Sequence, residues 1–449
     1  MKKLILLLTG AIALILVVAP KLVGLLLNDN SVAGSLRDLT GQPGLTLELD
    51  SGWFSSQGTL TIVDPVISGT SYPGVQMTTP LTVMHGPLLV TADGVRLGLA
   101  AAELLPAISG LVVDDPLQQL FLEGLQNPMT LLAGLDRSLH LYANTEPLEY
   151  RDAGDQLNLS NLQVDLSIAA DRSTNLTLAI DDGTMLSPFY QATAHGSRLR
   201  LQNSDLSAAP LPGSLQISID ELRLNSPEQL TARGIRLDYV ARPDNNNGTV
   251  TITQDLVVGE LASTWPVTAL TLHSELAGVD PTLASVYLNL MREAQLQGYG
   301  DPRAQRQLEQ QGQLLARDML RRPLQQQSTL TVQAYDGEHQ AQLVTAWPGL
   351  PDLQSLDRLT VGDILRNLDV TLDIIAQEEA LLRSPLGDSI SAYQSQGVLP
   401  GSNNGTVTLN ATLQGATLTI NELRLPLDAF IDTDARPFGN AQPGIPIQP

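Results

Sequence analysis

The sequence predicts an α+β chain that is mostly β: one N-terminal transmembrane helix followed by an extended, twisted antiparallel β body with a few covering helices. Three observations lead there. An uncharged run opens the chain. Aliphatic residues then alternate with polar ones in segment after segment. Only a few stretches keep helical spacing.

The first element is the run from Leu4 to Leu27, preceded by Lys2 and Lys3 and interrupted by Lys21. As a helix it would be about 36 Å long, enough to cross a bilayer core of about 30 Å with some tilt. Lys21 can snorkel to the headgroups. The two leading lysines favour a cytoplasmic N-terminus and a body outside the inner membrane, in the periplasm. A cleaved signal peptide is the rival reading. Against it, Val18-Ala19-Pro20 places a proline where small-residue cleavage sites lack one, and there is no cysteine for lipid attachment. A buried core helix is the third.

Residues 28–280 read as a β-rich region. Leu45 to Leu49 alternates strictly until Gly52, and Thr59 to Val63 follows. Similar runs cover 157–168, 176–180, 215–224, 249–253 and 270–276, then 330–334, 370–374 and 406–420 in the C-terminal β region, 328–430. Period-two alternation bounded by Gly, Asn, Asp and Pro marks half-buried antiparallel strands. Asn-Gly at 247–248 and 404–405 predicts tight hairpin turns. One pattern recurs: Ile217, Ile219, Leu222 and Leu224 around Asp220-Glu221, Leu418 to Leu425 around Asn421-Glu422, and Leu157 to Val164 around Ser160-Asn161. Each time the alternation slips by one residue, which a β-bulge or tight bend would absorb.

Helical spacing appears in Ala100 to Gln126, in the Gln-rich segment 281–327, and briefly from Ala376 to Leu382. In the second, Leu308, Leu315 and Met319 form a stripe that Pro323 ends, and the glutamines read as a solvated face and linker. Residues 431–449, with four prolines, read as a disordered tail.

Composition excludes several chemistries. All three lysines lie at or before position 21, so the body has no Schiff-base or phosphate-loop lysine. Without cysteine there are no thiolate nucleophiles, disulfides or thiolate metal sites. A net charge of −22 would repel nucleic acid and reads as a solubility surface. With 4% aromatics, the core is expected to be aliphatic.

Two polar clusters stand out, Trp53-Phe54-Ser55-Ser56 and His85-Gly86-Pro87. Adjacent Trp53 and Phe54 would point to opposite faces of a strand, one into the core. Ser55 and Ser56 with Gly58 suit a turn, and no base for a nucleophilic serine is visible. His85-Gly-Pro reads as a rigid turn whose imidazole bonds the backbone, with a pH-sensing or ligand-contacting histidine as the alternative. His140, His195, His273 and His339 look isolated, without metal-ligand spacing. The acidic pairs 114–115, 181–182 and 378–379 read as caps and loops, and Asp432-Thr-Asp434 lacks the glycine and distal glutamate of a calcium loop.

These clusters, with Gly94 to Ala100, the closing segment Gly415 to Asn421 and Leu425-Pro-Leu427, resemble the YdgA-like family of bacterial envelope proteins of unknown function. In that family the closing segment often reads Asn-Gly, whereas Glu422 follows Asn421 here. The resemblance implies location and β-rich architecture, and no catalytic residue or cofactor. Three function classes follow: a non-catalytic binder of lipid, apolar peptide or an envelope protein; a structural or assembly subunit of an envelope complex; and a hydrolase with an unrecognised carboxylate or Ser/His site. The first is favoured, because ten or more alternating strands have too few helices to cover their apolar face, leaving a groove.

Overall fold

A computed structural model of the chain describes residues 44–427 apart from 65, 68–69, 72–73, 92–93, 110–126, 153, 204–212, 227–228, 245–246, 264–265, 288–289, 291–301, 357–358, 398 and 403. The expected membrane segment 4–27 and tail 431–449 lie outside the described residues. Among the described residues, no helix is long and apolar enough to cross a membrane. The chain divides into two compact units, Met1–Leu206 with Leu222–Pro227, and Ser207–Glu221 with Glu228–Pro449.

The strands of unit 1 begin with β1 (Leu45–Ser51), β2 (Ser55–Val63), β3 (Val66–Ile67), β4 (Thr70–Ser71), β5 (Gln76–His85), β6 (Leu88–Thr91), β7 (Gly94–Leu97), β8 (Ala100–Leu104) and β9 (Ala107–Ser109). They continue with β10 (Met129–Ala133), β11 (Leu139–Asn144), β12 (Leu148–Asp152), β13 (Asp155–Leu159), β14 (Gln163–Ile168), β15 (Thr174–Leu186) and β16 (Gln191–Asn203). The main sheet is antiparallel throughout, in the order β1, β2, β5, β8, β10, β11, β14, β15, β16. The β6–β7 hairpin stands apart. Its Leu89 packs on Ala101 and Leu132.

The next strand, β17 (Gly213–Asn225), is shared in sequence between the units. Unit 2 is a meander of β18 (Gln229–Asp244), β19 (Thr249–Ser263), β20 (Val267–Val279), β21 (Leu324–Ala334), β22 (Gly337–Trp347), β23 (Asp369–Gln377), β24 (Thr406–Gln414), β25 (Thr417–Ile420) and β26 (Leu423–Pro426). Each pairs antiparallel with the next. Residues 281–287 are helical, and four further helices are α1 (Pro302–Leu320), α2 (Val361–Asn367), α3 (Glu378–Arg383) and α4 (Gly387–Ser395).

Register turns the alternation of the sequence into two unlike faces. Across unit 2, Leu237, Leu256, Leu272, Leu330, Ala341, Ile374 and Leu409 pair in one continuous row. One residue on, the row reads Asp238, Asp255, His273, Thr329, Gln342, Asp373, Asn410. Successive side chains of a strand point to opposite faces, so the first row is apolar face and the second polar. In unit 1 the apolar row runs Val83, Ala102, Leu131, Leu141, Leu166, Leu176, Leu201.

Several expectations are corrected. Residues 100–104 and 107–109 are strand, not helix: Ala102 pairs with both Val83 and Leu131, and Ala101 is fully buried under Leu89, where a small side chain is required. The partner strands β5 and β10 override the helix propensity of alanine. The remainder of that helix, 110–126, lies outside the described residues. Gln325 to Gln327 are not a linker but part of β21, paired with Val344 to Ala346. The third helix begins at Glu378, because Ala376 and Gln377 complete the ladder with β24.

The recurring slip has three different resolutions, so it is not one repeated motif. Asn421-Glu422 is a two-residue hairpin, with Asn421 at φ 52° and Ile420 paired to Leu423. Ser160 to Leu162 interrupt the strand while β13 and β14 stay in one register on β15. Asp220-Glu221 lie within the unbroken strand β17. Asn247-Gly248 closes the β18–β19 hairpin, but Asn404-Gly405 leads from the helices into β24.

Helix α2 carries a complete capping box. The Thr360 hydroxyl accepts from the Asp363 amide at 3.1 Å, and Asp363 accepts from the Thr360 amide at 3.0 Å. Thr360→Ala should destabilise unit 2 by about 1 kcal/mol, read as a lower urea midpoint. The Thr360 hydroxyl, then its amide, hold the Asp363 carboxyl below its ordinary 3.8. A depressed folded pKa means the contribution is present above that ordinary value and lost as pH falls through the lower folded one. Asp363→Asn should therefore flatten the acid limb of stability.

Candidate functional site

The two motif clusters meet at one end of the unit 1 sheet. Gly52 donates to the Ser55 carbonyl at 2.9 Å, closing the β1–β2 turn. Trp53 and Phe54 sit in that turn, 49% and 58% exposed, instead of on opposite faces of a strand. Ser55 and Ser56 open β2 and are not turn residues. Beside them His85 ends β5, its amide donating to the Phe54 carbonyl at 2.8 Å.

The structure supplies the base that sequence reading did not find. Ser56 Oγ and His85 Nε2 are 2.9 Å apart, and His85 Nδ1 faces the Trp53 carbonyl at 3.5 Å. A serine and an imidazole in this contact are the elements of a nucleophile. Yet Ser56 is 1% and His85 3% exposed, so both are closed to solvent. The pair works as a pin that ties the Trp53–Phe54 turn to the next strand. The Gly86–Pro87 bond is cis. Gly86 donates to Leu99 at 2.7 Å, and a Cβ there would lie 1.7 Å from the Gly98 carbonyl oxygen, so only glycine fits. His85-Gly-Pro is thus the rigid turn expected, with a serine contact added.

The other four histidines also have close polar neighbours, His339 through the Ala334 carbonyl at 3.2 Å. His195 contacts Asp182 directly across β15–β16, and His273 contacts Asp255 at 2.6 Å across β19–β20. The Ser138 hydroxyl lies 3.0 Å from His140 and donates to Asp136 at 2.6 Å. That hydrogen bond, ahead of the Ser138 amide, lowers the Asp136 carboxyl pKa. The His195 and His273 pairs are about half exposed. Among the described residues no three His, Asp or Glu groups could hold a metal ion.

An apolar cavity lies in unit 2, at one end of its apolar face. Leu276, Thr345 and Trp347 share that face with the leucine row, displaced from it by even numbers of residues. Over them lie the helical residues 281–287, the end of α1 and the end of α2. They enclose a cavity of about 450 Å³, lined by Val279, Leu283, Ala284, Tyr287, Met319, Leu320, Ile364 and Leu368 among others. Ligand pockets of this size hold drug-sized molecules. The roof is held by Asp280, whose carboxylate accepts from the Thr282 and Leu283 amides at 2.8 and 3.1 Å and from Arg322 at 2.8 Å. Trp347 Nε1 donates to the Leu320 carbonyl at 2.8 Å, fixing the floor to α1.

At the other end of the face α3 sets its buried Ala380 against Gly337 of β22. Every side chain of the row from Leu237 to Leu409 is half-buried and none is fully buried. The row crosses seven strands, about 29 Å at the usual strand spacing. Sequence reading expected part of this face to stay open as a groove. It placed residues 281–287 in a helical segment but did not identify α2, which carries no distinctive motif.

A family model described as a bacterial protein of unknown function (DUF945) matches residues 1–385. Neither the curated proteins nor the solved structures contain a match.

A pin predicts stability effects, not rate effects. Ser56→Ala removes a partner of a buried imidazole and should cost about 1–3 kcal/mol in denaturant titration. A fluorophosphonate probe should leave Ser56 unmodified in the folded protein; stoichiometric labelling would mean the pair is an open nucleophile.

Proposed function

We infer that this chain, which belongs to the DUF945 family of bacterial proteins of unknown function, is a membrane-tethered, non-catalytic binding protein whose apolar sheet face takes acyl chains. One observation carries the reading: an aliphatic row seven strands wide, partly buried with no member fully buried, lies on the same face as a cavity of about 450 Å³. Contiguous exposed apolar surface of this kind marks a binding site.

The lining explains the choice of ligand. It is aliphatic, with Tyr287 and Trp347 the aromatics of the cavity, so it offers little for stacking sugars or bases. Its charged pair, Asp280 with Arg322, is engaged in holding the roof. An acyl chain needs only apolar contact and a long trough, and the face provides both. An apolar peptide or an envelope protein is the competing occupant.

The tether in this reading is Leu4 to Leu27, with the body in the periplasm and lipids as the nearest ligands. The finer likeness to YdgA-like envelope proteins, carried by Trp53 to Ser56 and His85 to Pro87, supports the same location.

Mass spectrometry of the full chain, purified in mild detergent, should show co-purifying lipid removed by delipidation. Met319 lines the cavity and is half exposed, so Met319→Glu should lose that lipid while keeping the urea midpoint. Lipid retained unchanged by Met319→Glu, or a co-purifying peptide in its place, would defeat the acyl reading. A reporter fused at the C-terminus should be active only outside the cytoplasm.

A further inference from the structure

The pinned end of unit 1 carries a second apolar surface, distinct from the sheet face. Trp53 and Phe54 project from the β1–β2 turn, and Leu135 from the turn after β10. Between them, Leu88 and Leu97 form a cross-strand pair on the outer side of the β6–β7 hairpin, since their neighbours Leu89 and Arg96 face the sheet. Leu97 is 67% exposed.

Hydrogen bonds join these loops into one surface. His85 donates to Phe54, Gly86 to Leu99, and Leu99 to Ala133, each crossing to the next strand. The surface therefore spans about three strand spacings, roughly 14 Å. It is electrically quiet in a strongly acidic chain. Residues 52–56 bear no charge, Arg96 lies over the Tyr142 ring at 4.9 Å, and Asp136 and Arg137 oppose each other in sign.

We propose that this end of unit 1 rests on the lipid surface of the membrane that holds the chain, with Trp53, Phe54, Leu88 and Leu97 dipping into the interface. The proposal rests on the tethered reading above, but not on the acyl ligand. Chain length makes the contact reachable. Seventeen residues separate Leu27 from Leu45. Extended, they reach about 56 Å, whereas β1 carries Trp53 only roughly 23 Å from Leu45. The tether holds the surface at high effective concentration near the bilayer, so modest apolar burial suffices. An indole beside aliphatic side chains matches the polarity gradient of a headgroup boundary. The neutral loops bring no net negative charge to anionic lipid, which the rest of the body would. A rigid end is required, because a floppy turn would lose its ordering entropy on insertion. The Ser56–His85 contact supplies that rigidity.

The cysteine-free chain makes the test direct. The full chain with Leu97→Cys carries an environment-sensitive fluorophore and is reconstituted into phosphatidylethanolamine–phosphatidylglycerol vesicles. A second preparation labels Phe189→Cys, which is 83% exposed in the turn at the opposite end of the same sheet. Lipid brominated near the headgroups should quench the Leu97 label and spare the Phe189 label. Trp53→Ser with Phe54→Ser should abolish that quenching while carbonate-resistant attachment persists. Leu135→Cys repeats the measurement should Leu97→Cys fold poorly. An unquenched Leu97 label in carbonate-resistant protein overturns the proposal and leaves the tether intact. Equal quenching of both labels overturns it too, since the contact is then not confined to this end. Shielding of the label in detergent that grows with protein concentration assigns the surface to a second copy of the chain and also overturns it. Loss of the protein to carbonate shows instead that the tether reading fails.

Discussion

Everything in the described chain depends on keeping antiparallel register over many strands. With side chains alternating at a period of two, a shift of one residue would exchange the leucine row of unit 2 for the row of Asp255, His273 and Asp373. The hydrophobic difference between the two rows is what selects the register. The same alternation separates Leu141, Leu166 and Leu176 from Tyr142, Asp165 and Thr177 in unit 1. The polar face of unit 2 carries Asp238, Asp255 and Asp373, and the His273–Asp255 contact belongs there as a cross-strand pair.

That constraint leaves a problem the helices do not solve. An apolar sheet face needs cover, and in unit 2 the described helices close over its ends, 281–287, α1 and α2 over one and α3 over the other, leaving the row between them partly buried. The buried aliphatic groups are correspondingly sparse and often small, as with Ala232, Ala241, Ala334 and Ala376. A half-exposed face of this extent is costly in water unless something occupies it. The polar groups around the cavity are engaged in holding its roof and floor: Asp280 with Arg322, and Trp347 with Leu320.

The loop ends show how local chemistry supports this frame. At one end of unit 1 a buried histidine and serine, a glycine that admits no Cβ and a cis proline set the turn geometry. In unit 2 a capping aspartate and an arginine do so for the roof. Gly278, at φ 88°, passes within 2.7 Å (from its would-be Cβ) of the Pro323 carbonyl and lets β20 and β21 enter the roof side by side.

The strands were legible because alternation is local: Leu45 to Leu49, Leu176 to Ile180 and Val370 to Ile374 need only their own neighbours to declare a face. The Gly-Pro turn and the helical stripe of Leu308, Leu315 and Met319 were legible for the same reason, each being set by short-range backbone limits. Residues 100–109 misled, since alanine suits a helix until β5 and β10 offer it two ladders. The repeated slip misled too: one local pattern fits a hairpin, an interruption and an unbroken strand equally, and the choice lies with the partner strand. Ser56 and His85, 29 residues apart in sequence, become neighbours only through the β2–β5 register. The sequence by itself therefore determined which residues are apolar, which alternate and where the chain must turn. Which rows those residues join, what they leave uncovered and which polar groups they bury were decided by strand pairing, because hydrogen-bond ladders link residues that no local spacing relates.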